Sequence, residues 1–291
     1  MVTRQQSILF TDEESKEVKV YTFSEDDAKG KEKKKSKVSL WRQDLKRPWH
    51  VAHRAAVEFL GTTFLVYFAT TTCAQFPDNG GVLQRSLTMT CIYATLIQAL
   101  SFTGGCHLNP MVTIGFAVLG KVSWVRVMAY TNAQYVAAVL GTYIYKITTP
   151  EDMQGFALCA NKLNEDIGVT WWQGLLVEAL VTSAMTWAVF TVTDERGRLR
   201  PGGFVVIGLA YGAGHLMAIP LTSAGMNPAR SLGPAVLGKY WIHNWVFAFG
   251  PQIGIKLAAL AYWLVNKREE NPANVTNEQP KYEAGKGDEQ L

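Results

Sequence analysis

Charge is scarce where most of this chain lies. Of its 291 residues only 18% are Asp, Glu, Lys or Arg, while 48% are hydrophobic. Those charges crowd into residues 1–50 and 266–291. The middle holds long uncharged runs, which a water-soluble domain does not need. Cysteine is scarce as well. Cys73, Cys91, Cys106 and Cys159 show no metal-ligand spacing, and three of them lie in or beside apolar segments. They read as small buried or lipid-facing thiols rather than a disulfide framework. No nucleophile–base pair, metal cluster or phosphate-cradling loop appears, so the sequence offers no basis for an enzyme, a cofactor, a metal centre or a nucleic-acid partner. The first 50 residues are polar throughout, and no cleavable signal peptide is expected.

What is present is a set of six runs long enough to cross about 30 Å of hydrocarbon at roughly 1.5 Å per residue. They lie near 53–75, 85–104, 124–146, 170–193, 201–220 and 243–265. Lys46, Arg47, Arg54, Lys121, Arg126, Arg196, Arg198, Arg200, Lys267 and Arg268 flank them on one side. The segments 76–84 and 147–169 carry mainly Asp78, Glu151, Asp152, Glu165 and Asp166. The positive-inside rule then puts both termini in the cytoplasm, with the plasma membrane as the default location. Trp49, Trp124, Trp171, Trp172, Trp241, Trp245 and Trp263 fall near span ends, where amphipathic rings belong.

Residues 1–50 mix acids with a basic run from Lys29 to Lys37 and are expected to be a disordered tail; 267–291 form a second cytoplasmic tail. The Lys31–Lys37 cluster is a candidate contact for anionic lipid, releasable by phosphorylation of Ser36 or Ser39.

Between the tails, 51–266 form the channel-like domain, and it repeats. Asn227-Pro228-Ala229-Arg230 has a relative 118 residues earlier in Asn109-Pro110-Met111. Asn before Pro is a helix start, with Asn capping and Pro at the first helical position. The runs that follow, 109–118 and 227–236, are about 15 Å long, half a membrane crossing. Glu58-x-x-x-Thr62 recurs as Glu178-x-x-x-Thr182, 120 residues on, and Gly115 matches Gly233. Ala133-Gln134 against Gly250-Pro251 is a weaker match. These offsets indicate a duplication, with repeats of about 51–150 and 168–266. Three spans per repeat is an odd number, so the halves are inverted. The fold expected is therefore an all-α membrane protein with six transmembrane helices and two re-entrant half-helices in an inverted 3+3 repeat. The Asn caps would meet at mid-membrane with both positive dipole ends directed there, a centre that admits neutral molecules and repels cations.

With Asn-Pro at both half-helices, the two Glu-x-x-x-Thr motifs and Asn-Pro-Ala-Arg-Ser, residues 52–265 resemble the aquaporins, the major intrinsic protein family. The resemblance implies a homotetramer in the bilayer with one pore per subunit. It implies that Asn109 and Asn227 donate to solute, and that Glu58 and Glu178 hold the re-entrant loops. The carbonyls of Gly105, Cys106 and His107, and of Ser223, Ala224 and Gly225, would form accepting ladders. It assigns the outer filter to Met89, His215, Ala224 and Arg230. His215 with Arg230 makes a narrow polar gate, and Ser231, Ala235 and Phe247 also look like the water-selective type. Two positions depart from the pattern: Met111 stands where the first motif ends in Ala, and Met89 stands where an aromatic is usual. Cys106, at the position Ala224 holds in the second repeat, is expected to face the pore and to be the target of mercurials. Lys256, well inside the sixth span, is accounted for only by snorkelling or a subunit contact.

The function expected is a passive water channel with proton and ion exclusion. The alternatives are a broader pore for glycerol, urea, ammonia or hydrogen peroxide, an ion-coupled inverted-repeat transporter, and a closed, junction-forming relative.

Overall fold

In the computed structural model, residues 6–12, 17–23, 40–74, 81–193 and 199–266 are described. Six long helices follow the six expected spans: α2 (Pro48–Thr71), α3 (Gly81–Leu100), α5 (Trp124–Thr148), α6 (Trp171–Thr191), α7 (Gly203–Thr222) and α9 (Val246–Asn266). The two half-helices are α4 (Pro110–Val118) and α8 (Pro228–Leu237). By length and composition α3, α6, α7 and α9 are apolar enough throughout to cross a membrane. α2 and α5 are as long but carry inward polar groups, among them Glu58 and Gln134, which are fully buried.

The tail expected to lack structure holds some. An antiparallel hairpin joins β1 (Gln6–Asp12) to β2 (Glu17–Phe23), with Gln6 opposite Phe23 and Asp12 opposite Glu17. Each strand is rich in β-branched and aromatic types, which outweigh the local charges there. Helix α1 (Leu40–Lys46) follows. Its Asp44 is buried and accepts from Arg126 Nε at 2.9 Å, from Arg126 Nη2 at 2.5 Å and from Ser123 Oγ at 2.5 Å. That forked ion pair pins α1 to the start of α5. The Lys31–Lys37 cluster, Arg196, Arg198 and residues 267–291 lie outside the described residues.

The domain is inside out relative to a soluble protein. Phe64, Phe68, Leu87, Leu180, Val205, Leu209 and Leu260 are exposed on the helices' outer faces. The buried set includes Glu58, Asn109, Thr113, Gln134, Glu178, Thr182, His215, Asn227 and Arg230. A lipid solvent requires this arrangement, because each polar group must find its partner within the protein or along a watery path. All seven tryptophans expected at span ends are exposed there.

The helices pair α2 with α5, α6 with α9 and α3 with α7. Small residues allow the close approach, as expected where lipid tails compete with side-chain packing. Gly233 shows how tight it is: a methyl group there would lie 2.4 Å from the Ala138 carbonyl, so α8 rests directly on the backbone of α5. Lys256 is on the exposed outer face of α9.

One expectation fails outright. Cys73, just past the end of α2, and Cys159, in the segment between α5 and α6, form a disulfide. Both are near apolar elements, as the sequence indicated. However, the turns Glu151–Met153 and Phe156–Leu158 fold the 149–170 segment back over the end of α2, bringing the two Cα atoms to 5.6 Å. Cys91 and Cys106 remain free.

Candidate functional site

The site begins with two backbone segments that are neither helix nor strand, residues 104–109 and 223–227. In the first, Cys106 and Leu108 have φ of 87° and 56°; in the second, Ser223, Ala224 and Met226 have φ of 62°, 54° and 54°. Cys106 and Leu108 stand 118 residues before Ala224 and Met226, so the two loops share an unusual conformation as well as a motif. A left-handed non-glycine residue costs on the order of 1–3 kcal/mol and persists only where its surroundings dictate it.

The dictating groups are the two buried acids. Glu58 Oε1 accepts from the N–H groups of Cys106 at 2.6 Å and His107 at 2.7 Å; its Oε2 accepts from Leu108 N–H at 2.8 Å and Gln134 Nε2 at 2.9 Å. Glu178 Oε1 accepts from Thr222 Oγ1 at 2.6 Å and Gly225 N–H at 2.8 Å, and its Oε2 accepts from Met226 N–H at 2.7 Å. Left-handed residues curl successive N–H groups into a concave nest, and here a carboxylate fills each nest. Directing the N–H groups to the acids leaves the carbonyls for the opposite side. Among the described residues no donor reaches the carbonyls of Gly105, Cys106, Ala224 or Gly225. The His107 carbonyl takes one bond from Tyr93 Oη at 3.2 Å, and that of Ser223 takes one from Asn161 Nδ2 at 3.1 Å. Each retains a second lone pair.

The loops end at the two asparagines. Asn109 Oδ1 caps α4 by accepting from Met111 N–H at 2.9 Å; Asn227 Oδ1 caps α8 by accepting from Ala229 N–H at 3.0 Å. The other ends of these side chains cross over. Asn109 Nδ2 donates to the Met226 carbonyl at 3.0 Å, and Asn227 Nδ2 donates to the Leu108 carbonyl at 2.8 Å. Each asparagine thus binds the residue before the other, which brings the N-termini of α4 and α8 face to face at the centre of the domain. An amide has two N–H bonds, so one on each remains after the crossing.

Toward the 149–170 segment, His215 and Arg230 are both buried. His215 Nδ1 lies 2.9 Å from the Tyr211 carbonyl, which orients the ring, and Tyr211 stacks on Tyr93 with centroids 4.2 Å apart. Arg230 Nη1 donates to the Cys159 carbonyl at 2.9 Å and to Asn161 Oδ1 at 3.2 Å, while Nη2 lies 3.2 Å from Cys159 Sγ. Arg230 Nε is buried and has no hydrogen-bond partner among the described residues. Met89 and Ala224 belong to one packed cluster with Cys106, Tyr93, Tyr211 and Met226. Met111 is buried in the first turn of α4.

Sequence reasoning missed several of these residues. Gln134 surfaced only as half of a weak repeat match. Tyr93, Thr222, Cys159 and Asn161 carried no signal, because their parts depend on what folds against them. One expectation about a side chain needs correcting. The Cys106 thiol is not free in the conduit but donates to the Leu96 carbonyl at 3.3 Å, turned into the packing of α3. Its positive φ rotates the side chain away from where an extended residue would hold it.

The model of one family, described as "Major intrinsic protein", matches residues 46–262. Over 209 residues the chain is 37% identical to the lens fiber major intrinsic protein of Gallus gallus, covering 71% of this chain and 79% of that one. Over 207 residues it is 37% identical to aquaporin-2 of Homo sapiens, covering 70% and 75%. Among solved structures, the aquaglyceroporin from Plasmodium falciparum shares the fold, with a TM-score of 0.65 and 21% identity, over 73% of this chain and 95% of that one.

Proposed function

The chain belongs to the major intrinsic protein, or aquaporin, family, whose members are membrane channels and not enzymes, and on that premise we propose that it conducts water passively in single file while excluding protons and ions. The observation that carries this reading is the crossing of Asn109 and Asn227. It leaves one unused amide N–H from each half-helix, alongside the carbonyls of Gly105, Cys106, Ala224 and Gly225, which no donor reaches among the described residues. A water at that point accepts from both asparagines, so its own hydrogens point away from the centre along the carbonyls. That orientation breaks a proton relay, and the positive ends of α4 and α8 oppose cations.

Selectivity in this reading lies with Met89, His215, Ala224 and Arg230. Arg230 Nε is a buried donor without a partner among the described residues, the place for a passing oxygen. The imidazole supplies a second polar edge. Glu58 and Glu178 are structural, since every bond recorded to them comes from a loop or from a residue bracing one. Orientation with both termini in the cytoplasm, residence in the plasma membrane and assembly as a homotetramer complete the proposal. An exposed Lys256 on α9 fits a subunit contact better than open lipid, where an ammonium at mid-span costs about 3 kcal/mol.

A second reading, a pore that also passes glycerol, urea, ammonia or hydrogen peroxide, is favoured by one feature. Met89 and Ala224, assigned to the filter in this reading, are a flexible and a small side chain within one buried cluster. Proteoliposome shrinkage distinguishes the two readings. Rapid water flux of low activation energy with no re-swelling in glycerol or urea supports the first; re-swelling supports the second; flux that depends on an ion gradient defeats both.

A further inference from the structure

The disulfide stands beside the filter. Cys159 supplies the carbonyl that binds Arg230 Nη1, and its sulfur lies 3.2 Å from Nη2. We infer that the Cys73–Cys159 bond is a positioning element of the solute filter: it fixes the acceptors that aim Arg230, and breaking it loosens discrimination between water and larger neutral solutes. The inference rests on the channel reading above and goes beyond it by assigning residues outside the pore motifs to selectivity.

Local conformation shows why this bond matters at Cys159. Ala157, Leu158 and Cys159 have φ of 43°, 56° and 66°, three left-handed non-glycine residues in succession. Such a run relaxes toward ordinary backbone unless it is held. On the side toward α5, Gly155 N–H donates to Tyr145 Oη at 3.0 Å. A Cβ on Gly155 would come within 2.4 Å of the Cys73 carbonyl, so the loop lies directly on the end of α2. On the side toward α6, Asn161 donates to the Ser223 carbonyl and Asn164 N–H to the Leu221 carbonyl at 2.9 Å. These bonds keep the loop docked without the disulfide. Between them, among the described residues, the sulfur bridge, the turn's own bonds, the packing of Leu158 against Ala74 and Tyr145 and Arg230 itself restrain Cys159. Loss of the bridge therefore frees the carbonyl that aims the guanidinium while the fold stays intact.

Reduction is chemically simple. One thiolate of the dithiol reagent attacks the half-buried Cys73 sulfur, and the Cys159 sulfur leaves as a thiolate that takes up a proton. The second thiol of the reagent then releases Cys73, giving two protein thiols and the cyclic disulfide of the reagent. Two electrons and two protons reach the protein, and the reagent is oxidised.

The test uses the full chain in proteoliposomes, with water and glycerol permeability measured before and after dithiothreitol and the bond state read by alkylation and mass. The glycerol-to-water ratio is expected to rise roughly tenfold on reduction, the size of change that follows when one charge-assisted hydrogen bond stops fixing a discriminating group. Cys73→Ser and Cys159→Ser should reach the same ratio without reductant, which also decides the matter if the reagent does not reach the bond. The two variants should differ toward an impermeant cysteine-directed thiosulfonate. Cys73→Ser leaves a thiol beside Arg230 and should be blocked; Cys159→Ser should not, nor should the oxidised wild type. A purely structural disulfide would lower the amount of folded protein without moving the ratio or producing this asymmetry. An unchanged ratio in a reduced, water-conducting channel overturns the inference alone, whereas a wild-type protein with no water flux sinks the channel reading on which it rests.

Discussion

Replacing Glu178 with Gln changes one oxygen to an amide and tests the idea that the acids hold the loops. The carboxylate accepts three bonds, from Thr222 Oγ1, Gly225 N–H and Met226 N–H. A glutamine carbonyl at the Oε1 position keeps the first two but weakens each from charge-assisted to neutral, about 1 kcal/mol apiece. Its NH2 then faces the Met226 N–H, donor against donor. That bond is lost outright at about 1.5–3 kcal/mol, and a buried N–H is left unpaired. Removing a buried charge recovers part of this, so the net deficit is about 2–4 kcal/mol.

The deficit falls on Ser223, Ala224 and Met226, the three left-handed residues of that loop. At tenfold per 1.4 kcal/mol, even the lower figure shifts the loop's equilibrium about thirtyfold away from the conducting geometry. Stopped-flow light scattering on proteoliposomes with matched protein content should show water permeability reduced by at least about tenfold, with the helical far-ultraviolet dichroism unchanged. Glu58→Gln should be more damaging, since four donors converge on that acid, one of them Gln134 from α5. If Glu178→Gln conducts water like the wild type at equal incorporation, the acids do not maintain the loops and this account of the conduit is wrong.

Three further outcomes follow from the geometry. Met111→Ala removes a buried side chain from the first turn of α4 but leaves Asn109 and Pro110 in place; it should lower thermal stability by about 2–4 kcal/mol while water flux persists, as read by melting in detergent and by the same shrinkage assay. Arg126→Gln breaks the forked pair with buried Asp44 at a half-exposed site and should release α1, costing about 1–3 kcal/mol and exposing the α1–α2 junction to limited proteolysis. Arg230→Val removes the guanidinium from its acceptors on Cys159 and Asn161 and should raise glycerol and urea permeability, with water flux retained.

What the sequence made legible was the part written twice. Asn109 with Asn227, Glu58 with Glu178, and the half-helices they bound could be read because each copy lent meaning to the other. The offset alone implied that the loops face each other, and the crossed amide bonds agree with it. The groups completing each loop were hidden for the converse reason. Glu58 takes its extra bond from Gln134, whose partner position in the second repeat is Pro251, a residue with no side-chain donor. Glu178 takes its extra bond from Thr222, whose partner position in the first repeat is Gly104. The two halves satisfy the same acid by different routes, so a search for repeated residues passes over both. The disulfide was hidden by distance, since a sequence separation of 86 imposes no spacing rule on which cysteines meet.

The same contrast accounts for where discrimination resides. The backbone of the conduit is close to symmetric: matched left-handed residues, matched acids and matched caps. Its chemistry is not. The position equivalent to Arg230 in the first repeat is Val112, which is buried in the apolar cluster and offers a solute nothing to bind. A duplicated scaffold can supply the central asparagine pair and its field, because both halves contribute equally there. It cannot supply a filter, which needs a charge on one side and acceptors to restrain it. Those acceptors come from the 149–170 segment, which joins the two repeats and therefore belongs to neither. If Arg230 is the filter charge, as proposed, selectivity depends on the least repetitive stretch of the chain. Asn161→Ala tests that dependence apart from the disulfide. It removes one acceptor of Arg230 and the Asn161 bond to the Ser223 carbonyl but leaves the Cys159 carbonyl in place. Glycerol exclusion should weaken by less than in Arg230→Val, with the central barrier to protons intact. A loss of proton exclusion in this variant would mean that the two functions are not separable in the way the geometry requires.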